Sequence, residues 1–289
     1  MLVAVIVLAT QFIVSGLFRH NMEDLSDQFD YQIPYNLTDP DKSFKLKHRL
    51  DEISGLTAFG KKKLLALQDE EGYIYTISAS KGEIKDKLKY TKSGDYEGIA
   101  LAGEVVYTLR SDGTIYQIDK FSSGKPKIEA FKTALTIAND AEGLCYDPAK
   151  NRLLIACKGA AGIDNKLPGK KAIYAFYLDK KELDPEPLFL LDLDEINSYT
   201  GKTKGQFSPS GIAVHPTTGD VYIIAAVGDL LVVLDNTGSI KTMDYLTPKL
   251  FKQPEGITFL PNGELLISNE AHHKGSKSTI LRFKQKSNG

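Results

Sequence analysis

The chain has 289 residues, enough for one large all-β domain or two smaller ones, and is 42% apolar against 25% charged, an ordinary globular balance. A formal net charge of -1 gives no basic field, which excludes nucleic acid as an expected partner. With 14 Tyr, 13 Phe and no Trp, the aromatic content suits pleated sheets better than helices.

Met1 to Phe18 carries no charged side chain before Arg19. Its length lies at the lower edge of what crosses a bilayer as a helix. Residues 1–20 therefore read as an export signal or membrane anchor, which puts the protein at the cell envelope, exported or held in the plasma membrane. The segment lacks the basic start of a cleaved signal, and no Cys lies near it to take a lipid. A buried helix or strand is the alternative. Residues 21–42 follow as a linker and residues 43–289 as the folded domain.

From there the chain repeats itself. Five segments share a polar residue, a Gly and a short apolar strand: Ser54-Gly55-Leu56-Thr57, Glu97-Gly98-Ile99-Ala100, Glu142-Gly143-Leu144-Cys145, Ser210-Gly211-Ile212-Ala213 and Glu255-Gly256-Ile257-Thr258. Their glycines are 43, 45, 68 and 45 residues apart. A period near 45 is the length of a four-stranded propeller blade. Within the repeats, Ser111-Asp112-Gly113, Asn236-Thr237-Gly238 and Pro261-Asn262-Gly263 separate apolar runs, and Gly after Asp or Asn suits tight turns. The fold class is all-β: a β-propeller of about five four-stranded blades.

The 68-residue interval holds four strands, near Leu144–Tyr146, Leu153–Cys157, Ile173–Leu178 and Leu188–Leu193, with the excess in loops at Lys158–Lys171 and Asp194–Phe207. One blade with long loops is the preferred reading, and a degenerate sixth blade stays open. Cys145 and Cys157 flank a turn and fall on neighbouring strands; two buried thiols are preferred over a bridge, which needs a particular register. The last repeat ends after a third strand, Thr279–Lys284, so a strand near Ser43–His48 is expected to complete it and close the ring.

In a propeller the first strand of each blade lines the axis, so equivalent positions converge there. The residue before each Gly is Ser54, Glu97, Glu142, Ser210 or Glu255, and two residues earlier stand Glu52, Asp95, Asp140, Ser208 and Gln253. Offsets of two share a face. Crowded carboxylates are costly unless a cation or water compensates them, and hard oxygen ligands suit Ca²⁺. The candidate metal set is Glu52, Asp95, Glu97, Asp140, Glu142 and Glu255, with Asn269 and Glu270 after the second strand of the last repeat. The alternative is that the acids simply face water. His272 and His273 read as solvated loop residues. No G-x-S-x-G or H-E-x-x-H motif is present, so no catalytic residue is assigned.

Glu52-Ile53-Ser54-Gly55-Leu56, Asp69-Glu70-Glu71-Gly72-Tyr73-Ile74-Tyr75, Gly94-Asp95-Tyr96-Glu97-Gly98-Ile99, Asp140-Ala141-Glu142-Gly143-Leu144, Pro209-Ser210-Gly211-Ile212-Ala213-Val214-His215-Pro216 and Gln253-Pro254-Glu255-Gly256-Ile257 together resemble the SdiA-regulated family of envelope-associated bacterial propellers. That resemblance runs from about Leu50 to Phe283. It implies a propeller behind a membrane-anchoring segment, with no established activity. A more distant similarity is to calcium-dependent lactonases of the gluconolactonase and paraoxonase type, whose channel metal is held by acidic or amide residues before a Gly. Glu97, Glu142 and Glu255 match that form; five repeats instead of six, and Ser54 and Ser210, depart from it.

Two functions follow as expectations. The first is an envelope binding module with Ca²⁺ in its channel and an unidentified small molecule or envelope protein as partner, the membrane being met through the N-terminal segment. The second is a metal-dependent hydrolase of esters, lactones or phosphoesters, using the channel carboxylates.

Overall fold

The computed structural model describes residues 25–123, 125–201, 207–273 and 275–286. The apolar Met1–Phe18 segment lies outside them, and among the described residues no helix is long and apolar enough to cross a membrane. Five antiparallel sheets make up the molecule. A first strand, β1 (Lys42–Lys45), stands apart from its neighbours in sequence. Blade 1 is β2 (Gly55–Phe59), β3 (Lys63–Leu67), β4 (Tyr73–Ser78) and β5 (Ile84–Lys89). Blade 2 is β6 (Tyr96–Ala102), β7 (Val105–Arg110), β8 (Ile115–Asp119) and β9 (Lys127–Phe131). Blade 3 is β10 (Ala141–Asp147), β11 (Arg152–Cys157) and β12 (Lys170–Tyr177), with an outer edge split into β13 (Glu182–Leu183) and β14 (Phe189–Asp192).

Blade 4 is β15 (Gly211–Val214), β16 (Val221–Ala225), β17 (Leu230–Leu234) and β18 (Ile240–Tyr245). Blade 5 is β19 (Pro254–Phe259), β20 (Leu265–Asn269) and β21 (Thr279–Phe283), and β1 pairs with β21 as its fourth strand, Lys42 opposite Arg282. The inner strands adjoin one another in the cyclic order β2, β6, β10, β15, β19 and back to β2. The ring is thus a five-bladed propeller, and the long interval is one blade. Of its two loops, the first is tied down by Asn139, whose amide donates to the carbonyls of Ala160 (3.0 Å) and Gly162 (3.1 Å). The second folds into α1 (Leu193–Thr200), capped at its start by Asp192 and at its end by Gly201 in the left-handed region, with Ile196 buried.

Five apolar clusters fill the five seams between blades. Because a blade is covered on both faces, its middle strands carry unbroken apolar runs: every residue of β16 and β17 is buried. Residues 21–42, read from the sequence as a linker, are from Leu25 onward part of this packing. Leu25 enters the seam between blades 3 and 4, and Ile33, Tyr35 and Leu37 enter the seam between blades 4 and 5. Tyr35 donates to the Gly263 carbonyl at 2.6 Å, and the Lys286 N–H donates to the Pro34 carbonyl at 2.7 Å. These four side chains, with Phe29 and Tyr31 packed beside them, are what pulls the stretch down onto the ring. Cys145 and Cys157 are free and buried, on neighbouring strands but in different seams, Cys145 between blades 3 and 4 and Cys157 between blades 2 and 3.

The glycines of the repeat hold the ring together by being small. None needs a positive φ; each is needed for space. A methyl group on Gly98 would stand 2.5 Å from Leu144 Cβ, one on Gly143 2.9 Å from the Ile212 nitrogen, and one on Gly211 2.3 Å from the Glu255 carbonyl oxygen. Gly55 meets blade 2 and Gly256 meets blade 1 in the same manner. Gly211→Ala is therefore expected to lower unfolding free energy in urea by about 3 kcal/mol through overpacking. Gly219→Ala, at φ +74° with open space around it, should lose only about 1 kcal/mol through backbone strain.

Candidate functional site

The glycine ring divides the axis into two ends. At the ring itself only about 10 Å³ of free space remains, at the limit of one water molecule. The end at which the inner strands leave the ring opens into an apolar cavity of about 190 Å³ lined by Leu101, Leu144, Ile257 and Phe259 among others. The end at which they enter is acidic, and it is built by local slips in strand pairing. Tyr96 pairs with Arg110 but Gly98 with Leu109, which leaves Glu97 as the extra residue of a bulge. Ala141 pairs with Cys157 and Gly143 with Ala156, around Glu142. The register also shifts between Pro254 and Ile257, around Glu255. A bulge bends its strand and re-aims a side chain. Here it brings glutamates from blades 2, 3 and 5 within electrostatic reach of one another.

Blades 1 and 4 carry serine instead, and their inner strands start in register, Gly55 opposite Leu67 and Gly211 opposite Ile224. Ser54 Oγ donates to the Tyr96 carbonyl at 2.7 Å, and Ser210 Oγ to the Pro254 carbonyl at 2.6 Å. Each serine pins the residue that precedes the next blade's glutamate. The departure of these two positions from acid is thus a seam latch.

Outside this inner set lies a rim. The carbonyls of Glu52, Asp95, Asp140 and Gln253 accept from the N–H groups of Asp69 (3.2 Å), Ser111 (3.0 Å), Lys158 (2.8 Å) and Glu270 (2.9 Å), which come just after the second strands of blades 1, 2, 3 and 5. Glu52 and Asp95 are exposed, while Asp140, Asp69 and Glu270 are half-buried. Asp69 and Lys158 escaped the sequence reading although they occupy the same rim position as Glu270. Aligning the repeats beyond their first strand would have exposed them. Asn269 does not join the set: alternation along β20 puts it on the blade-4 face with Leu265 and Ile267, opposite Glu270. Its Nδ2 donates to Thr279 Oγ1 at 3.2 Å.

Burial dominates the titration of this end. It raises Glu97 well above the usual carboxylate range, aided by the charges of Glu142 and Asp95 and by a hydrogen bond with Asp95. Glu255 is raised in the same way, by burial and then by Glu142, with Lys158 opposing. Burial also raises Glu142, against the Lys158 ammonium that stands 2.7 Å from its Oε1. On the rim, burial and the charges of Asp69 and Glu52 push Glu270 up to about 7, and burial with Glu52 pushes Asp69 up to about 6. Gln253 donates from its amide to Glu270.

The Ca²⁺ expected from the sequence can be tested on this arrangement. Among the described residues no three His, Cys, Asp or Glu side chains stand where they could share a metal ion. The carboxyls converge from separate blades, and an ammonium already stands on Glu142. The donor set as folded does not fit a divalent cation.

Ring, seam latches and acidic end define a five-bladed propeller with a blind channel. The SdiA-regulated family profile matches residues 42–272, and the chain belongs to that family. No curated protein matches it. Among solved structures it is similar to glutaminyl cyclase of Myxococcus xanthus, at 12% identity and a TM-score of 0.59, over 85% of this chain and 95% of that one. It is similar to a chain of a nidogen/laminin complex at 17% identity and a TM-score of 0.50, over 75% and 72%. A gluconolactonase of Xanthomonas campestris matches at 13% identity and a TM-score of 0.52, over 80% and 72%. At such identities the likeness shows the shared propeller fold alone.

A carboxyl whose folded pKa is raised favours the folded state below its unfolded pKa, and that contribution is lost as pH climbs through the folded value. For Glu270 the window runs from the ordinary carboxylate range to about 7. Relative to wild type, Glu270→Gln is therefore expected to gain up to about 2 kcal/mol between pH 5 and pH 8 in paired urea unfolding curves.

Proposed function

We propose that this propeller is a binding module of the cell envelope, which offers its acidic end to a small molecule or an envelope protein. Its N-terminal segment serves as export signal or membrane anchor. One observation carries the reading. A bowl of about 940 Å³ opens on the same face, and it shares Glu52 with the rim. Lys47, Arg49 and Lys277 line it together with Glu52, Glu70 and Glu71. Its volume is that of a small-molecule site, and its two signs of charge suit a ligand that carries both. The glycine floor below the mouth leaves no passage, so a ligand meets this face and stays on it. In this reading the cation at the mouth carboxylates is Lys158, 2.7 Å from Glu142, and not Ca²⁺.

The hydrolase alternative has its own support in Glu142, a buried carboxyl raised above its ordinary range beside an ammonium, as a general acid or base requires. One of the propellers similar to this chain is a gluconolactonase. A single experiment separates the two. Thermal shift against amino acids, dipeptides and sugar phosphates should give at least one compound that raises the melting temperature of wild type and not of Arg49→Ala/Glu70→Ala. Incubation with lactones, aryl esters and phosphoesters should give no turnover. Turnover abolished by Glu142→Gln would replace the binding module with the hydrolase.

A further inference from the structure

Lys158 is the cation nearest the inner glutamates, and the fold holds it there from several sides. It leaves β11 at the rim position where blades 1 and 5 place Asp69 and Glu270, its N–H bonded to the Asp140 carbonyl as theirs are to Glu52 and Gln253. The backbone beneath it is clamped. Lys171 Nζ donates to the Lys158 carbonyl, and at 3.4 Å to that of Gly159. The Gly159 N–H donates to the Asn139 carbonyl at 2.9 Å. A methyl group on Gly159 would stand 2.4 Å from the Ala138 carbonyl oxygen, so this strip of chain lies hard against the next loop. From that base the side chain reaches Glu142, whose own side chain is 5% exposed, at 2.7 Å. Asp140, Glu255 and Glu270 also feel the ammonium.

We infer that Lys158 is the built-in counter-cation of the channel mouth, a tethered ammonium that offsets the carboxylates of Glu142 and its neighbours in place of any bound ion. The physical reason is the cost of gathered, part-buried carboxylates, which some positive charge must offset. An ammonium on a side chain does so without the six to eight oxygens that Ca²⁺ collects, and the described residues do not bring three His, Cys, Asp or Glu side chains together around one ion. Lys171, which bonds carbonyls and no carboxylate, is the positioning residue: it fixes the peptides from which Lys158 projects.

The test is calcium titration calorimetry on the full-length protein after chelation, with thermal melts alongside. Wild type should bind no stoichiometric Ca²⁺ up to about 5 mM, above the range in which extracellular calcium modules fill, and its melting temperature should not respond to chelator. Lys158→Met should melt roughly 5 °C lower, since it strands a buried carboxylate. Ca²⁺ should not restore its stability, because removing the ammonium brings no further ligands together among the described residues. Lys158→Arg should behave as wild type. Should Lys158→Met fail to fold, Lys158→Met/Glu142→Gln removes the stranded charge and should fold and stay indifferent to Ca²⁺. One Ca²⁺ bound per wild-type chain with a raised melting temperature would overturn the inference. So would a Lys158→Met protein as stable as wild type, or one whose stability Ca²⁺ restores with a stoichiometric isotherm, which would make the carboxyls a divalent site that the lysine merely blocks.

Discussion

With five blades the inner strands crowd the axis until a methyl group no longer fits between neighbours, and that close approach governs the rest of the molecule. Gly55, Gly98, Gly143, Gly211 and Gly256 each set their α-carbon against the backbone or side chains of the next blade. The contact passes around the ring and returns to its start. Closing the floor separates an apolar end from an acidic one, so chemistry at one end is isolated from the other. It also fixes where the upstream residue of each blade must stand. Three blades answer the crowding with a bulge that swings a glutamate toward its counterparts, and two answer with a serine that bonds across the seam. The acids at the mouth are therefore a by-product of how the ring is stitched as well as a candidate surface for recognition.

Stitching acids into a part-buried ring has an electrostatic cost, and the chain meets it in two ways. Some carboxyls hold their protons beyond the usual pH, Glu97 and Glu255 most of all. Others are balanced by the single lysine that blade 3 contributes to a rim whose equivalents in blades 1 and 5 are Asp69 and Glu270.

The ring was written plainly in the sequence, because spacing and glycine are both backbone properties that a linear reading captures. The five glycines follow from that spacing; the closing strand follows from the last repeat having only three strands, and the single long blade, with a sixth left open, from the four strands in its interval. The site was less legible. Glu97, Glu142 and Glu255 could be placed near the axis, but not the bulges that aim them, since a slip of one residue leaves no mark on composition. Asn269 was misplaced because strand alternation sends it to the other face of its blade from Glu270. Lys158 went unseen since its partner Glu142 lies across a hairpin, and its loop is one residue longer than that of blade 1. The stretch before β1 reads as linker because its alternating Phe29, Tyr31, Ile33, Tyr35 and Leu37 stand among Asp, Asn and Pro residues that mark turns.

The fifth blade is made from both ends of the domain, β1 from the beginning and β19, β20 and β21 from the end. During synthesis β1 is made before the other strands of the ring, while its partner β21 is the last of the ring's described strands. Until then β1 and the Leu25–Leu37 stretch have no completed surface to rest on, and blade 1 has an open flank where blade 5 will dock. Closure is thus a checkpoint on completeness, since a chain truncated before β21 has no partner to give its own first strand.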